Sequence, residues 1–148
     1  MSSEDTNTSE PDIFGMKSNS YCMLLHLSQL LVLVIPPLGL ACPIVFWIIA
    51  KDRSAQVNQQ GKIIANWLLS LLIYCTISIA CSVCLFVATV IAAVLSGLAV
   101  GMGLFFHFCT LSIVFVFMIL MVVFSIIGAV KANEGAVWKY PLSIAFFK

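Results

Sequence analysis

Two long stretches of the chain carry no charged residue, and a short polar segment separates them. They cover residues 22–50 and 63–130, which are 29 and 68 residues without Asp, Glu, Lys or Arg. Uncharged apolar runs of about 18 or more residues are typical of membrane-spanning helices. The pattern therefore predicts an all-α integral membrane protein.

The longer stretch is expected to fold into two spans joined by a turn. A span needs about 20 residues at 1.5 Å rise per residue, and three glycines fall within seven residues at 97–103, where the turn is best placed. Together with one span from the first stretch, this predicts three transmembrane helices. Their expected limits are about 22–50, 63–95 and 104–130.

The first stretch is long for one span and short for two. It contains Pro36 and Pro37 near its middle, and proline removes a backbone donor and clashes with the preceding turn. The helix is therefore expected to be kinked or broken there. We favour one bent span, and a re-entrant hairpin broken at these prolines is the alternative.

The cations favour one orientation. With two spans between Lys62 and Lys131, six of the seven cations lie on one side, and only Lys17 lies on the other. Because Lys and Arg near span ends stay cytoplasmic, we expect the N-terminus outside and the C-terminus inside. The expected location is the cytoplasmic (inner) membrane, as a multi-pass protein.

The membrane domain is expected to cover residues 21–131, and one segment flanks it on each side. Residues 1–20 are rich in acids, Ser, Thr and Asn, which predicts a disordered acidic tail. Residues 132–148 are expected to form a cytoplasmic tail that lies along the membrane interface, with Trp138 and Tyr140 as anchors.

Composition agrees with a membrane protein and excludes several functional classes. The chain is 62% hydrophobic and 9% charged, whereas soluble domains carry about 25% charged residues. The seven cations are too few and too dispersed for a nucleic-acid site. No catalytic motif, cofactor fingerprint or metal-ligand spacing occurs, so we expect no enzyme, no cofactor and no metal.

Three sequence blocks resemble a known family. The first block is HLS at 26–28 with IPPLG at 35–39 and PIVFWIIAKD at 43–52. The second is the loop SAQVNQQGK at 54–62 with Asn66, and the third is KANEG at 131–135 with WKYPL at 138–142. They are similar to a family of small bacterial membrane proteins of unknown function, grouped with the twenty-kilodalton component of the chloroplast inner-envelope protein translocon. The resemblance implies three spans and no particular activity. The chain departs from the family at Gln60, where members often carry His.

The loop and the tail contain the polar residues that we predict to form an interaction surface. In the expected topology both segments lie on the cytoplasmic side of the membrane. The candidate residues are Asn58, Gln60, Lys62, Asn66, Asn133, Glu134, Gly135, Trp138 and Tyr140.

Polar residues also recur every four positions along the second span. Starting at Asn66, the stripe continues within the membrane as Ser70, Tyr74, Ser78 and Ser82. Such a stripe is expected to face protein rather than lipid. It serves either as packing between helices, which we favour, or as a polar pathway or ligand groove.

The remaining candidate residues have ordinary interpretations. Cys81 and Cys84 form a C-x-x-C inside a span, where nothing nearby would lower a thiol pKa, so we interpret them as small apolar fillers. His26 and His107 are both expected near an outer span end, as interfacial polar residues rather than a shared proton or metal site.

The predicted function is that of a non-catalytic small membrane protein that mediates protein–protein interaction in the cytoplasmic membrane. The expected partners are the lipid bilayer and an unidentified membrane or cytoplasmic protein. Homo-oligomerisation stays open, and no nucleic-acid partner is expected. The alternative is an oligomeric channel or a transport or translocation subunit.

Overall fold

A computed structural model describes residues 12–96 and 100–148. The described part of the chain is helical apart from one short strand pair and the tail that follows the last helix. In chain order the elements are β1 (Asp12–Ile13), β2 (Met16–Lys17), α1 (Ser18–Ser28), a 3₁₀ segment (Gln29–Leu33), α2 (Pro36–Ala50), α3 (Ala55–Ser96) and α4 (Val100–Asn133).

Two helices, α3 and α4, are long and apolar enough to cross a membrane. They have 42 and 34 residues, or about 63 and 51 Å at 1.5 Å per residue, and they pack against each other as a pair. The turn predicted at residues 96–103 falls in part on residues 97–99, which lie outside the described residues. Because α4 already begins at Val100, Gly101 and Gly103 belong to the helix and not to the turn.

The first apolar stretch forms a helical hairpin, which corrects the preferred single bent span. The Ser18 and Ser54 hydroxyls lie 3.3 Å apart at its open end. The Tyr21 hydroxyl donates to the Phe46 carbonyl oxygen at 2.8 Å, which links the two halves of the hairpin. The two ends of the segment are therefore neighbours, as in the re-entrant alternative.

The break between the two halves of the hairpin lies just before Pro36 and Pro37. Ile35 is extended, with φ of −135°, and α2 begins at Pro36, where proline's missing N–H costs nothing because a helix start has no partner for it. Near the tip, a Cβ on Gly39 would collide with the Val32 backbone. Glycine is thus required at position 39 for the close approach of the two halves of the hairpin.

The N-terminal residues lie at the open end of this hairpin. β1 and β2 pair through a turn in which Phe14 and Gly15 both have positive φ, which is typical of a type I′ turn. Arg53 stacks on the Phe14 ring, and Gln56 donates to Asn19. Residues 12–20 of the expected disordered tail are therefore ordered, whereas residues 1–11 lie outside the described residues.

This arrangement also corrects the predicted placement of Lys17. It lies beside the loop at 51–54, and not at the opposite end of the bundle. The other six cations occur in that loop, at the adjoining ends of α3 and α4, and in the tail. All seven therefore lie at one end, and the expected split of six against one disappears.

Among the described residues, the core lies at this end of the molecule. We call residues 12–71 and 118–148 the head, and residues 72–96 and 100–117 the arm. The head contains nearly all the buried side chains, with Leu25, Ile64, Trp67 and Met121 fully enclosed. In the described part of the arm, Ser82 is the one buried side chain, and the large apolar residues are exposed.

Candidate functional site

The tail after α4 is bound along α3 by the first residues of the polar stripe. The Asn66 side chain accepts from the backbone N–H groups of Phe146 and Phe147 at 2.9 and 2.8 Å and donates to the Phe147 carbonyl at 3.0 Å. The Ser70 hydroxyl accepts from the Ile144 N–H at 2.8 Å. Tyr74 donates to a tail carbonyl at 2.9 Å. These side chains replace the backbone partners that an irregular strand lacks.

Two turns give the tail its path. Helix α4 ends in a Schellman motif, in which the Ala136 N–H bonds to the Lys131 carbonyl and Gly135 takes a positive φ of 76°. The chain then reverses at residues 140–143, where Pro141 precedes Leu142 with φ of 66°, as in a type II turn. The tail consequently enters the head, reverses direction and returns beside α3.

At the innermost point of this path, Tyr140 joins a buried polar network. Its hydroxyl lies 2.6 Å from His26 Nδ1 and 2.9 Å from Gln29 Nε2. The other ring nitrogen of His26 lies 3.0 Å from Gln60 Oε1, and Gln60 Nε2 donates to the Ala136 carbonyl at 3.0 Å. The network thus joins the hairpin, the start of α3 and the tail.

The amides fix the direction of each hydrogen bond. Because Gln60 Oε1 can only accept, His26 Nε2 carries the proton, and in a neutral ring Nδ1 must accept. Tyr140 therefore donates to His26 and accepts from Gln29. This continuous order of donors holds a neutral histidine in one tautomer, as expected for a structural group.

Aromatic rings enclose the network. Tyr140 packs against Trp67, Phe124 and Trp138, with ring centroids 5.2 to 5.9 Å apart. Burial raises the pKa of Tyr140 far above its usual range, although its hydrogen bond with Gln29 acts in the opposite direction. Tyr140 thus stays neutral and anchors the tail in the head.

Close packing at Gly128 makes room for this cluster. A Cβ at that position would lie 2.6 Å from His26 Nδ1 and 2.9 Å from the Tyr140 hydroxyl. Glycine lets α4 approach the ring pair. Two buried polar atoms in the neighbourhood, Gln29 Oε1 and Trp67 Nε1, have no hydrogen-bond partner among the described residues.

The far half of the stripe behaves differently. Ser82 is buried and lies 2.7 Å from His107 Nδ1, the one hydrogen bond between α3 and α4 side chains within the described arm. Ser78 is half-buried and makes no side-chain hydrogen bond to a described residue. The stripe is therefore divided between holding the tail and holding the helix pair.

The remaining residues of the predicted surface are scattered around the same end. Asn58 accepts from Trp47 Nε1 at 3.2 Å, and Lys62 donates to the Lys148 carbonyl at 2.6 Å. Asn133 and Glu134 are exposed at the end of α4, where Glu134 pairs with Lys131 at 2.8 Å. The structure thus brings the loop and the tail together at one end of the molecule.

The two histidines do not share a site. His26 contacts Gln60 and His107 contacts Ser82, and these two partners are 22 residues apart on α3, or about 33 Å. This separation corrects the expectation that both histidines lie near an outer span end. Cys81 and Cys84 are exposed on the arm, and no group of three metal-ligating side chains occurs within residues 12–96 and 100–148.

Fold and site together define a small polytopic membrane protein with a packed polar head and an apolar two-helix arm. A model of the MamF/MmsF family, the magnetosome magnetite crystal formation protein family, matches residues 17–147. Because the match covers most of the chain, the protein belongs to this family. Comparisons with curated proteins and with solved structures gave no match.

The family refines the resemblance seen in the sequence blocks. It is a family of small membrane proteins related to the plastid translocon group. It has a magnetosome-related description in place of the unknown function that the resemblance implied. Its description concerns crystal formation, and it is not known as a family of enzymes.

Several residues of the site had no clear signal in the sequence. Gln29 and Gly128 are single polar or small residues in apolar surroundings, and their importance comes from neighbours more than 100 residues away in the chain. An isolated glycine in an apolar helix is a usable hint of close packing. His26 stands out in the sequence as a polar residue within an apolar stretch, but its partners Tyr140 and Gln60 are distant in the chain.

Proposed function

We propose that this protein is a non-catalytic magnetosome membrane component that affects magnetite crystal formation through contacts with other proteins. The family assignment supports the process. The head supports action through protein contacts, because its exposed polar residues, Asn133 and Glu134 among them, lie together at one end of the molecule.

The proposed topology follows from the cations. All seven lie at the head end, and positive residues near spans stay cytoplasmic. Residues 12–19, the loop and the tail then face the cytoplasm. The hairpin enters the membrane from that face and returns to it, and the magnetosome lumen meets the turn between α3 and α4.

This topology argues against direct templating of the mineral by the membrane domain. Iron in oxide surroundings is bound best by carboxylates and other oxygen ligands. Residues 63–130, which include the whole lumenal turn, contain no Asp or Glu. An effect on crystals is therefore expected to act through partners reached from the head.

The alternative of an oligomeric channel has less support. Three of the five stripe residues bind the tail, and Ser82 binds His107. Little of the stripe is left to line a polar pathway. Protein interaction is therefore the better supported function. Ion flux through the protein alone would favour a channel.

The test is complementation in a magnetite-forming bacterium that lacks this gene. Asn133 and Glu134 are exposed at the head, so Asn133→Ala with Glu134→Ala is expected to leave the fold intact and to change the crystal size distribution. Ser112→Ala, an exposed polar change on the arm, is the matched control. Electron microscopy measures the crystals, and affinity purification from cross-linked membranes identifies partners.

Three results would contradict different parts of the proposed function. If the deletion strain makes crystals of normal size and number, the role in crystal formation is wrong. If the double variant is made at normal levels, restores normal crystals and retains every copurifying protein, then this surface is not the one that acts. Ion flux through the purified protein in vesicles would show that the protein is a channel and would contradict the interaction role.

A further inference from the structure

We infer that the head contains a site for one anionic phospholipid, with its phosphate held by the lysines of the tail and of α3 and one acyl chain lying between α2 and α3. This inference is independent of the role in crystal formation.

The headgroup part is a basic cavity between α3 and the returning tail. It has a volume of about 380 Å³ and is lined by Lys62, Lys139 and Lys148 together with the polar side chains of Gln59, Asn66 and Ser143. No Asp or Glu is among the lining residues. Lys62 also donates to the Lys148 backbone oxygen at 2.6 Å, which draws the three cations together around the cavity. Such a cluster attracts a phosphate group, since cytoplasmic basic pockets in membrane proteins bind anionic headgroups.

The acyl part is an apolar groove that begins where the basic cavity ends. It has a volume of about 240 Å³ and is lined by Leu40, Ile44 and Trp47 of α2 and by Ala65, Leu69 and Leu72 of α3. Phe147 lines both spaces. Its backbone is fixed by Asn66, and its ring meets Trp47 edge-on, with centroids 5.8 Å apart. Phe147 therefore forms the boundary between the basic cavity and the apolar groove.

The order of the two spaces matches the order of a lipid in a membrane. The basic cavity lies at residues 59–66 of α3, near the charged end, and the apolar groove lies at residues 65–72, farther along the uncharged part of the same helix. A phospholipid has the same sequence of phosphate followed by hydrocarbon. A free phosphate would fill the cavity alone, and an apolar peptide would gain nothing from the lysines.

The experiment uses the full chain in a mild detergent and native mass spectrometry with added phosphatidylglycerol or phosphatidylcholine. We expect one phosphatidylglycerol per chain to be retained in preference to phosphatidylcholine. Lys62→Gln with Lys139→Gln is expected to weaken retention about fivefold for each lysine removed. Leu72→Trp, which fills the apolar groove, is expected to weaken retention of both lipids.

Matched controls lie close by. Lys51→Gln removes an exposed cation at the same end but outside the cavity, and Ile79→Trp adds the same bulk to an exposed position of α3 beyond the groove. Both are expected to retain the lipid as the unchanged protein does. Thermal melts without added lipid establish that each variant is folded, so that a loss of retention is not a loss of structure.

Three results would overturn the inference. Equal retention of the two lipids would show that the lysines do not select an anion. Equal loss in the Lys51→Gln control would show a diffuse charge effect. Protection of the protein against heat by inorganic phosphate, to the same extent as by phosphatidylglycerol, would show that the occupant is a free anion and not a lipid.

Discussion

The head and the arm are built from the same two long helices, yet they are held together in different ways. In the head, side chains from α1, α3, α4 and the tail bury one another, and hydrogen bonds link residues up to 114 positions apart. In the described arm, Thr89, Thr110 and Ser112 bond to carbonyls one turn back in their own helix. Its large apolar side chains face outward.

The difference indicates where each region obtains its stability. The head has a core that depends on packing and hydrogen bonding within the protein. The arm has helices whose backbone is satisfied internally and whose exposed apolar surface suits lipid. The head should therefore respond strongly to small changes, whereas the arm should tolerate them as long as its helices remain apolar.

The largest contrast is expected for aromatic truncation. Trp67 is fully buried against Phe124 and Tyr140, so Trp67→Ala is expected to lower the free energy of unfolding by about 3–5 kcal/mol. Phe115 on the arm is 67% exposed, and Phe115→Ala should change it by less than about 1 kcal/mol. Unfolding by SDS titration in mixed micelles measures both.

A third variant separates packing from polarity at the same position. The Trp67 N–H is buried without a partner among the described residues, and such a group costs about 1–3 kcal/mol. Trp67→Phe removes this cost while it keeps most of the ring, so its loss should be distinctly smaller than that of the alanine variant. Equal effects of Trp67→Ala and Phe115→Ala would contradict the distinction between the regions.

The next contrast uses two glycines of the same helix. Gly128→Ala places a Cβ against the His26 ring and the Tyr140 hydroxyl, and it should destabilise by about 1–3 kcal/mol. Gly101 has no described atom within 4 Å of such a Cβ, so Gly101→Ala should be neutral or stabilise by up to about 1 kcal/mol. Thermal melts in detergent would refute this prediction if the two variants shifted in the same direction by the same amount.

A smaller contrast divides the polar stripe. Asn66→Ala removes three hydrogen bonds to the tail backbone, and we expect a loss of about 1–2 kcal/mol because water partly replaces them. Amide hydrogen exchange at residues 144–147 should increase. Ser78→Ala is the control and should leave that exchange unchanged. Faster exchange in both variants, or in neither, would show that Asn66 does not hold the tail.

The smallest effect is expected at the surface of the head. Lys131 and Glu134 form an exposed ion pair at the end of α4, and such pairs contribute between about 0 and 1 kcal/mol. Glu134→Gln should therefore leave the melting temperature nearly unchanged at physiological salt. A large loss of stability would mean that the exposed surface of the head, and not its core, governs folding.

The sequence predicted the helical class and the two long helices because their signal is local. Uncharged runs directly report the demand of hydrocarbon for apolar side chains, and Pro36 with Pro37 marked the break. The choice between a bent span and a hairpin was not local, since it depends on Ser18 meeting Ser54 and on Tyr21 meeting Phe46. The error in the placement of Lys17 follows from that choice.

The site was predictable to a similar extent. The pattern of polar residues indicates both the stripe that begins at Asn66 and the tail at residues 132–148. That Asn66 and Ser70 bind the tail backbone could not be read from the pattern, because a four-residue spacing fits a partner helix equally well. The buried network of His26 and Tyr140 depends on contacts over more than 100 residues, for which one sequence carries no signal.

The central claim is that the segment of residues 12–54 begins and ends at the same face of the membrane. Lys17→Cys and Asp52→Cys, each in a background without the six native cysteines, can be labelled with a membrane-impermeant maleimide in right-side-out and inverted vesicles. The account predicts that both positions react only in inverted vesicles, as a cysteine at Lys139 should. Reaction of Lys17→Cys from the face opposite to Asp52→Cys would contradict it and restore a single span.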